Sequence, residues 1–501
     1  MWHLGLWLNP IPGAHYYVPE CSMPRFSIEE ETTYPETKEL RSCLKAVNTL
    51  PEEIFTEILA KSETPLISRF SFVLAWHPES LDRLEPAADA IRPQELNGWS
   101  RRDFRAIHRS RMQFEQNVPP EDPRYFIIGL DTLGIRAFQL LEDRPTVPDS
   151  KFPDCLWYIV DKLSRLDDYY IRTNGYFLRL DPVRTLIDTL MLWDTPAPPD
   201  QFTIVNDGLS KPMRMRCIVT EQCTGISVFC NGRKIYGIYA HKGNRSSAAD
   251  IYKRLCHYRK DPLMWIYFPL APNEGICGVW IRQRFGPRKF ITDVALMIKT
   301  TLDRCYIFGP CFNPQTDDSA EICLSKGQVS HLIHEDPDDG DPILCFGQTL
   351  PNDVQLHSPE ILQHPPTFHN KWDLFHSRAS LENVEQVCLF FDERRSDLNN
   401  LDKCCLGMLF TYSNGHKGAL GQCRMGLSLT ATIEHPTSLH FAEVTFTDGK
   451  TGVIVRVSSG NVGNNLSHKR QWQSTRMTGI ITWWFNSETI IPCIEEEEED
   501  I

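Results

Sequence analysis

The spacing of apolar residues is helix-like in the first part of the chain. In TLPEEIFTEILAK, Thr49 is placed to cap a helix and Glu52 to close a capping box. Four apolar side chains then share one face of that helix: Ile54, Phe55, Ile58 and Leu59. The same spacing predicts three later helices, over Arg102–Gln116, Asp154–Tyr170 and Pro182–Trp193. Residues 40–195 are therefore expected to be mainly α-helical.

Beyond Gln201 the pattern changes to the two-residue alternation of strands. Residues Met213–Val219 alternate basic and apolar side chains, as a half-exposed strand does. In GISVFCNGRKIYGIYAH, Asn231-Gly232 favours a type I′ turn between two β-rich runs, which predicts a hairpin. Two more strand–turn–strand units follow up to Pro310. Strands are predicted again over Gln386–Phe391, Leu406–Tyr412, Leu439–Phe446, Val453–Val457 and Gly479–Phe485.

These patterns predict a multidomain α+β chain, with an α-helical N-terminal region followed by an all-β, sandwich or prism-like, C-terminal region. The predicted segments are a flexible arm (1–45), a short helical module (46–95), a helical region (96–200), the first part of the β domain (201–315), an acidic and proline-rich loop region (316–375), the second part of the β domain (376–491) and an acidic tail (492–501).

Composition places the chain among globular proteins. Of its 501 residues, 41% are hydrophobic, 11% aromatic and 23% charged, which excludes wholesale disorder, collagen and coiled coil. The net charge is −13, and the tail Glu495 to Asp500 carries six of those negative charges. The charge balance therefore gives no support to nucleic-acid binding.

The cysteines and the N-terminus favour a cytoplasmic or nuclear protein. The 17 cysteines form no regular framework and no CxxC pair, so buried free thiols are expected rather than disulfides or zinc ligands. The apolar start MWHLGLWLNP lacks a basic n-region and is ended by Pro10, which argues against a signal peptide. No apolar run is long enough for a membrane helix.

No catalytic, metal-binding or cofactor-binding motif stands out in the sequence. The dinucleotide, P-loop, hydrolase-elbow and zincin motifs are all missing, so no cofactor, metal or catalytic residue is predicted. The segment His331–Asp341 invites a metal-enzyme hypothesis, but it shows no nucleophile–base pair, and Pro337 occupies a position where calcium would need an oxygen ligand. An enzyme is the least favoured hypothesis.

The run Leu50-Pro51-Glu52-Glu53-Ile54, continued by Ile58-Leu59, resembles the opening of an F-box. F-box modules dock a small adaptor of a cullin ubiquitin ligase, so the resemblance implies this partner. It also implies that five residues are buried against the adaptor: Leu50, Pro51, Ile54, Ile58 and Leu59. The resemblance is strong over its first dozen residues, and Pro78 then interrupts the usual third helix.

The whole layout also resembles uncharacterised fungal F-box proteins, in which a β domain follows the F-box. Within the β region, Leu270 to Pro310 is faintly similar to jacalin-type lectins. The residues that carry this similarity are Asn273-Glu274, Gly278, Leu296–Lys299, Arg304-Cys305-Tyr306 and Gly309-Pro310. The terminal GxxxD sugar loop of those lectins has no counterpart here.

The sequence therefore predicts a non-enzymatic substrate receptor. Its N-terminal helices would dock the cullin adaptor, and its β region would bind an unknown protein client. The alternative is a β domain that binds glycans or another ligand without any ligase, through exposed aromatic residues such as Trp265 or Trp280.

Overall fold

A computed structural model of the protein describes residues 90–91, 121–131, 134–145, 157–173, 178–182, 190–205, 213–221, 223–242, 248–257, 263–285, 291–309, 319–327, 329–337, 340–348, 374–396, 403–446, 450–459 and 470–495. The chain divides into two compact units. The first comprises residues 1–198 and 210–213, and the second comprises residues 199–209 and 214–501.

The described part of the first unit consists of antiparallel strands. They are β1 (Ala90–Ile91), β2 (Tyr125–Asp131), β3 (Gly134–Leu141), β4 (Trp157–Lys162), β5 (Tyr169–Thr173), β6 (Leu178–Pro182) and β7 (Met191–Trp193). Strand β2 lies between β3 and β4, while β5 lies between β1 and β6. Phe126, Phe138 and Ile159 form the centre of its core, with the edge of the Tyr169 ring against Phe126.

The predicted helical region over 96–200 is wrong wherever the structure describes it. The segment expected as the helix Asp154–Tyr170 is strand β4, a single 3-10 segment (Leu163–Asp168) and the start of β5. The end of the predicted helix Pro182–Trp193 is strand β7. Trp157, Tyr158, Ile159 and Val160 are consecutive aromatic and β-branched residues, and this preference for extended backbone outweighs the helical spacing of the apolar residues around them.

The second unit begins with strands β8 (Thr203–Val205), β9 (Met213–Val219), β10 (Gly225–Asn231) and β11 (Lys234–His241), followed by helix α1 (Ala248–His257). The next strands are β12 (Met264–Pro269), β13 (Ile276–Phe285), β14 (Ile291–Thr300), β15 (Cys305–Phe308), β16 (Ser319–Lys326), β17 (His331–Glu335) and β18 (Phe346–Gln348). Helix α1 buries Tyr252 and Leu255 against the sheet β11-β10-β12. No helix was predicted in this segment.

The unit continues with β19 (Phe375–Ser380), β20 (Val384–Ser396), β21 (Lys403–Tyr412), β22 (Lys417–Gly421), β23 (Leu429–Glu434) and β24 (Pro436–Thr445). It ends with β25 (Thr451–Ser459), β26 (Gln473–Arg476), β27 (Ile480–Phe485) and β28 (Ile490–Glu495). These strands overlap all five segments predicted after Gln386, so that prediction is confirmed.

One connectivity recurs three times in the second unit. The sheets β15-β14-β13-β16 and β22-β21-β20-β23 have the same strand order relative to the chain, and β25-β24-β26 repeats its first, second and last strands. The first strand of each sheet is entered through a residue with positive φ: Asn273 (φ 65°), Asn383 (φ 55°) and His435 (φ 47°). A single large cluster of buried side chains joins these sheets into one core.

Three finer predictions need correction. The hairpin of β10 and β11 is confirmed, but Asn231 pairs with Lys234, so its loop is Gly232-Arg233 and only Gly232 has a positive φ. The segment 316–375 contains strands β16, β17 and β18 where a loop region was expected. The tail expected from residue 492 begins inside β28, whose residues pair one after another with those of β27.

The predictions for the N-terminus lie almost entirely outside the described residues. The arm 1–45 and the helix Arg102–Gln116 are not described, and within 46–95 only strand β1 is. In the described part of the chain, no helix has the length and apolar character needed to cross a membrane.

Candidate functional site

A polar patch lies on one face of the sheet β25-β24-β26. Leu439 and Phe441 of β24 are buried in the core. The residues that alternate with them, Ser438 and His440, therefore point to the opposite face. Cross-strand pairing brings His440 opposite both Arg456 and Ser474, and Ser438 opposite Ser458 and Arg476. We call this set, with the adjoining Trp472, the polar sheet face: Ser438, His440, Arg456, Ser458, Trp472, Ser474 and Arg476.

His440 is the centre of the polar sheet face. Its Nδ1 lies 2.7 Å from the Ser474 hydroxyl, and its Nε2 lies 2.8 Å from that of Ser458 and 3.1 Å from that of Ser438. Partial burial, together with the charge of Arg456, lowers the pKa of His440 below its ordinary value. The imidazole is therefore neutral at pH 7 and holds three hydroxyl groups in fixed positions on three strands.

Arginine and tryptophan complete the polar sheet face. The Arg456 guanidinium lies 5.1 Å from the centroid of the Trp472 ring, within cation–π distance, and Trp472 is half-buried. The seven residues of the polar sheet face include two arginines and no carboxylate. Fixed hydroxyls beside an aromatic ring and guanidinium groups are suited to binding a polyhydroxylated or anionic ligand.

A second histidine–serine contact in the same unit is internal. The Trp265 indole N–H donates to the Ser227 hydroxyl at 2.7 Å, and the Ser227 hydroxyl lies 2.8 Å from His241 Nε2. Because the Ser227 hydroxyl accepts a hydrogen bond from the indole N–H, it donates its own hydrogen bond to His241 Nε2, which carries no proton in this arrangement. Burial lowers the pKa of His241 to about 4. Ser227 is fully buried, so this chain of hydrogen bonds supports the fold and offers no reachable nucleophile.

The tryptophans proposed from sequence as an exposed binding surface are not exposed. Trp265 is fully buried and Trp280 is only 4% exposed. Trp280 covers Gly278, where an added Cβ would overlap its indole ring. A tryptophan that does lie at the surface of the second unit is Trp472, which the sequence pattern did not predict. Its only signal in the sequence is the polar residues on either side of it, in RQWQS.

Two of the residues that resemble jacalin-type lectins, Glu274 and Arg304, form an ion pair. The Glu274 carboxylate accepts hydrogen bonds from Arg304 Nε at 2.8 Å and from the Ala271 backbone N–H at 2.8 Å. The Arg304 guanidinium also donates to the Pro269 carbonyl at 2.6 Å and lies 4.6 Å from the Phe268 ring centroid. The Glu274 side chain is fully buried and Arg304 is half-buried over it, so this cluster holds loops together.

The strand β17 separates the two histidines of the metal-enzyme hypothesis. Residues three apart in a strand point to opposite faces, so His331 and His334 do not converge. Asp336 forms an ion pair with Arg216, with Nη2 and Oδ2 3.0 Å apart. Within the described ranges, no three His, Cys, Asp or Glu side chains cluster as metal ligands.

The cysteines agree with the expectation of free thiols. Each of the 13 that the structure describes is free, and the vicinal pair Cys404 and Cys405 is buried. Burial raises the pKa of the Cys405 thiol, which suppresses the reactive thiolate.

The five predicted adaptor-binding residues, Leu50, Pro51, Ile54, Ile58 and Leu59, lie outside the described residues. No protein-family model matches the chain, and a search of curated proteins finds no match to it.

Proposed function

We propose that this protein is a non-enzymatic substrate receptor of a cullin ubiquitin ligase. Docking to the ligase adaptor, the first half of this proposal, is supported by the F-box-like sequence LPEEI followed by IL. Five of its residues would be buried in a groove of the adaptor: Leu50, Pro51, Ile54, Ile58 and Leu59. A cytoplasmic or nuclear location belongs to the same proposal, since the ligase works there.

The docking half is tested by co-purification of the adaptor from a fungal host. Ile54→Asp and Leu59→Asp place a charge in the apolar contact and are expected to abolish recovery of the adaptor. Glu53→Ala is the matched control, because the sequence pattern predicts Glu53 on the outward side of the same predicted helix. Adaptor that still co-purifies with both aspartate variants would reject docking through this helix.

The client-binding half is assigned to the second unit, for which we propose a prism-like arrangement. The support is the threefold recurrence of one strand connectivity, each time entered through a residue with positive φ. Within this unit we assign client binding to the polar sheet face, because it combines a half-buried tryptophan with two arginines and three serine hydroxyls.

A second candidate function is a glycan- or ligand-binding protein that works without a ligase. The polar sheet face favours it as well, since an aromatic ring beside fixed hydroxyl donors is how many proteins hold polar ligands. The two candidates differ in one measurement. A ligase receptor loses adaptor in Leu59→Asp and keeps it in Trp472→Ala, whereas a protein that acts alone recovers no adaptor in either.

A further inference from the structure

Strand β23 is the outer strand of the sheet β22-β21-β20-β23. Its six residues pair in unbroken register with β20, from Gln386 opposite Glu434 to Phe391 opposite Leu429. Among the described residues, nothing pairs with its other edge. In an antiparallel strand every second residue directs its N–H and C=O away from its partner, so this edge presents unpaired backbone groups.

The side chains of β23 leave this edge accessible. Five of its six residues are exposed, and the sixth, Ile433, is half-buried against the core. Leu429 is 44% exposed, one of two exposed large apolar side chains in the described ranges. The apolar residues Leu429, Ala431 and Ile433 fall on one face, whereas Thr430, Thr432 and Glu434 fall on the other.

Strand β23 also lacks the features by which edge strands usually avoid association. It has no lysine, no proline and no bulge, and its only charge is the terminal Glu434. Its counterpart in the repeated connectivity, β16, is different. That strand carries Glu321, which is paired with Arg282, and it ends in Lys326.

We propose that β23 pairs with β23 of a second copy of this chain, antiparallel, about a twofold axis at Ala431. In that register Ala431 lies opposite itself and Leu429 lies opposite Ile433 of the other copy. Thr430 then lies opposite Thr432, and apolar and Thr–Thr pairs of this kind stabilise antiparallel sheets. The two four-stranded sheets become one continuous sheet.

The pattern of β23 is self-complementary, which favours a second copy as the occupant. Apolar residues meet apolar residues on one face only if the register keeps the two sets aligned, and a shift by one residue would place each apolar side chain opposite a polar one. In the proposed register Glu434 faces Ser428 of the other copy, so no like charges meet. The interface is isologous, which closes the assembly at two chains. This inference does not depend on the proposed ligase function.

The first test is the mass of the full-length protein by analytical ultracentrifugation over a concentration series. The wild type is expected to reach twice the mass of one chain. Ala431→Lys places two ammonium groups opposite each other at the axis and should give a monomer with an unchanged circular dichroism spectrum. Leu302→Lys, at an exposed turn residue, is the matched control and should remain dimeric.

A cross-linking experiment tests the register. Residues opposite each other in an antiparallel pair have Cα atoms about 4.5 or 5.5 Å apart, within disulfide range. Oxidised Ala431→Cys should therefore form a covalent dimer beyond the wild-type background, while Thr430→Cys should not. A wild type that stays monomeric, an Ala431→Lys variant that stays dimeric, or a cross-link at Thr430→Cys instead of Ala431→Cys would each overturn the proposal. A monomer that adds an extended client peptide to β23 would overturn it as well.

Discussion

Glu274 and Arg304 form a two-point ion pair that ties the loop before β13 to the turn before β15. Arg304 Nε lies 2.8 Å from Glu274 Oε1 and Nη2 lies 2.5 Å from Oε2, and the Glu274 side chain is fully buried. Burial alone would raise the pKa of Glu274, but hydrogen bonds from Arg304 and the Ala271 N–H outweigh it and hold the pKa below its ordinary value. The carboxylate therefore stays charged inside the protein and depends on Arg304.

Replacing Arg304 by methionine should destabilise the second unit by about 3 kcal/mol, because a buried carboxylate is left without its cation. The measurement is the free energy of unfolding in urea. Arg378→Met is the control. Arg378 forms an ion pair with Glu495 in which both side chains are 52% exposed, and losing such a pair costs less than about 1 kcal/mol. Equal losses in the two variants would contradict the structural role of the Glu274–Arg304 pair.

Acid should destabilise the protein between about pH 6.5 and pH 4. Burial lowers the pKa of His241, His334 and His376 to about 4 in each case. The unfolded chain takes up these protons near pH 6.5 while the folded chain does not, so the free energy of unfolding falls as the pH is lowered through this window.

His241→Gln should reduce the slope of this pH dependence, because it removes one of the three buried histidines. The amide oxygen of glutamine still accepts a hydrogen bond from the Ser227 hydroxyl and does not titrate. The measurement is the urea midpoint at several pH values. Gln473→Asn, at an exposed residue that carries no titrating group, should keep the wild-type slope. A wild-type slope in His241→Gln would show that His241 is solvated in the folded protein.

Gly415 and Gly421 both have a positive φ, but replacing them by alanine should cost very different amounts of stability. Gly415 (φ 79°) has no atom within 4 Å of an added Cβ, so Gly415→Ala is expected to cost about 1 kcal/mol for the backbone strain alone. A Cβ on Gly421 (φ 63°) would overlap the Leu406 carbonyl and lie 2.7 Å from Trp483 Nε1, so Gly421→Ala should cost about 3 kcal/mol or more. Urea unfolding of both variants measures the difference, and equal costs would mean that β22 moves freely away from β21.

Any ligand of the polar sheet face should bind more weakly when the aromatic or the cationic side chain of that face is removed. Glycan and peptide arrays probed with the full chain would supply the ligand. Trp472→Ala and Arg456→Ala should then weaken its Kd about tenfold or more, the effect of losing one stacking or guanidinium contact. Gln473→Ala is the control, because Gln473 pairs with the core residue Phe441 and falls on the other face of β26. Uniform binding across all three variants would place the ligand elsewhere.

The sequence predicted the strands of the second unit well, because alternation and turn residues are local signals. The hairpin of β10 and β11 and the strand β9 are the clearest cases. It failed at β4, where the apolar spacing is helical but the aromatic and β-branched composition favours a strand. The polar sheet face was out of reach, because Ser438, Ser458 and Ser474 meet at His440 only after three strands have paired.

The pairing of β19 with β27 affects the order in which this chain can fold while it is being synthesised. Most sheets of the second unit are made of strands near in sequence, but Phe375 at the start of β19 pairs with Phe485 at the end of β27. Until β27 has been synthesised, β19 lacks this neighbour and the core lacks the buried Trp483. A nascent chain stalled before Ile480 therefore exposes an open strand and an unfilled core to chaperones, and the pairing of β27 with β19 is the step that closes this part of the second unit.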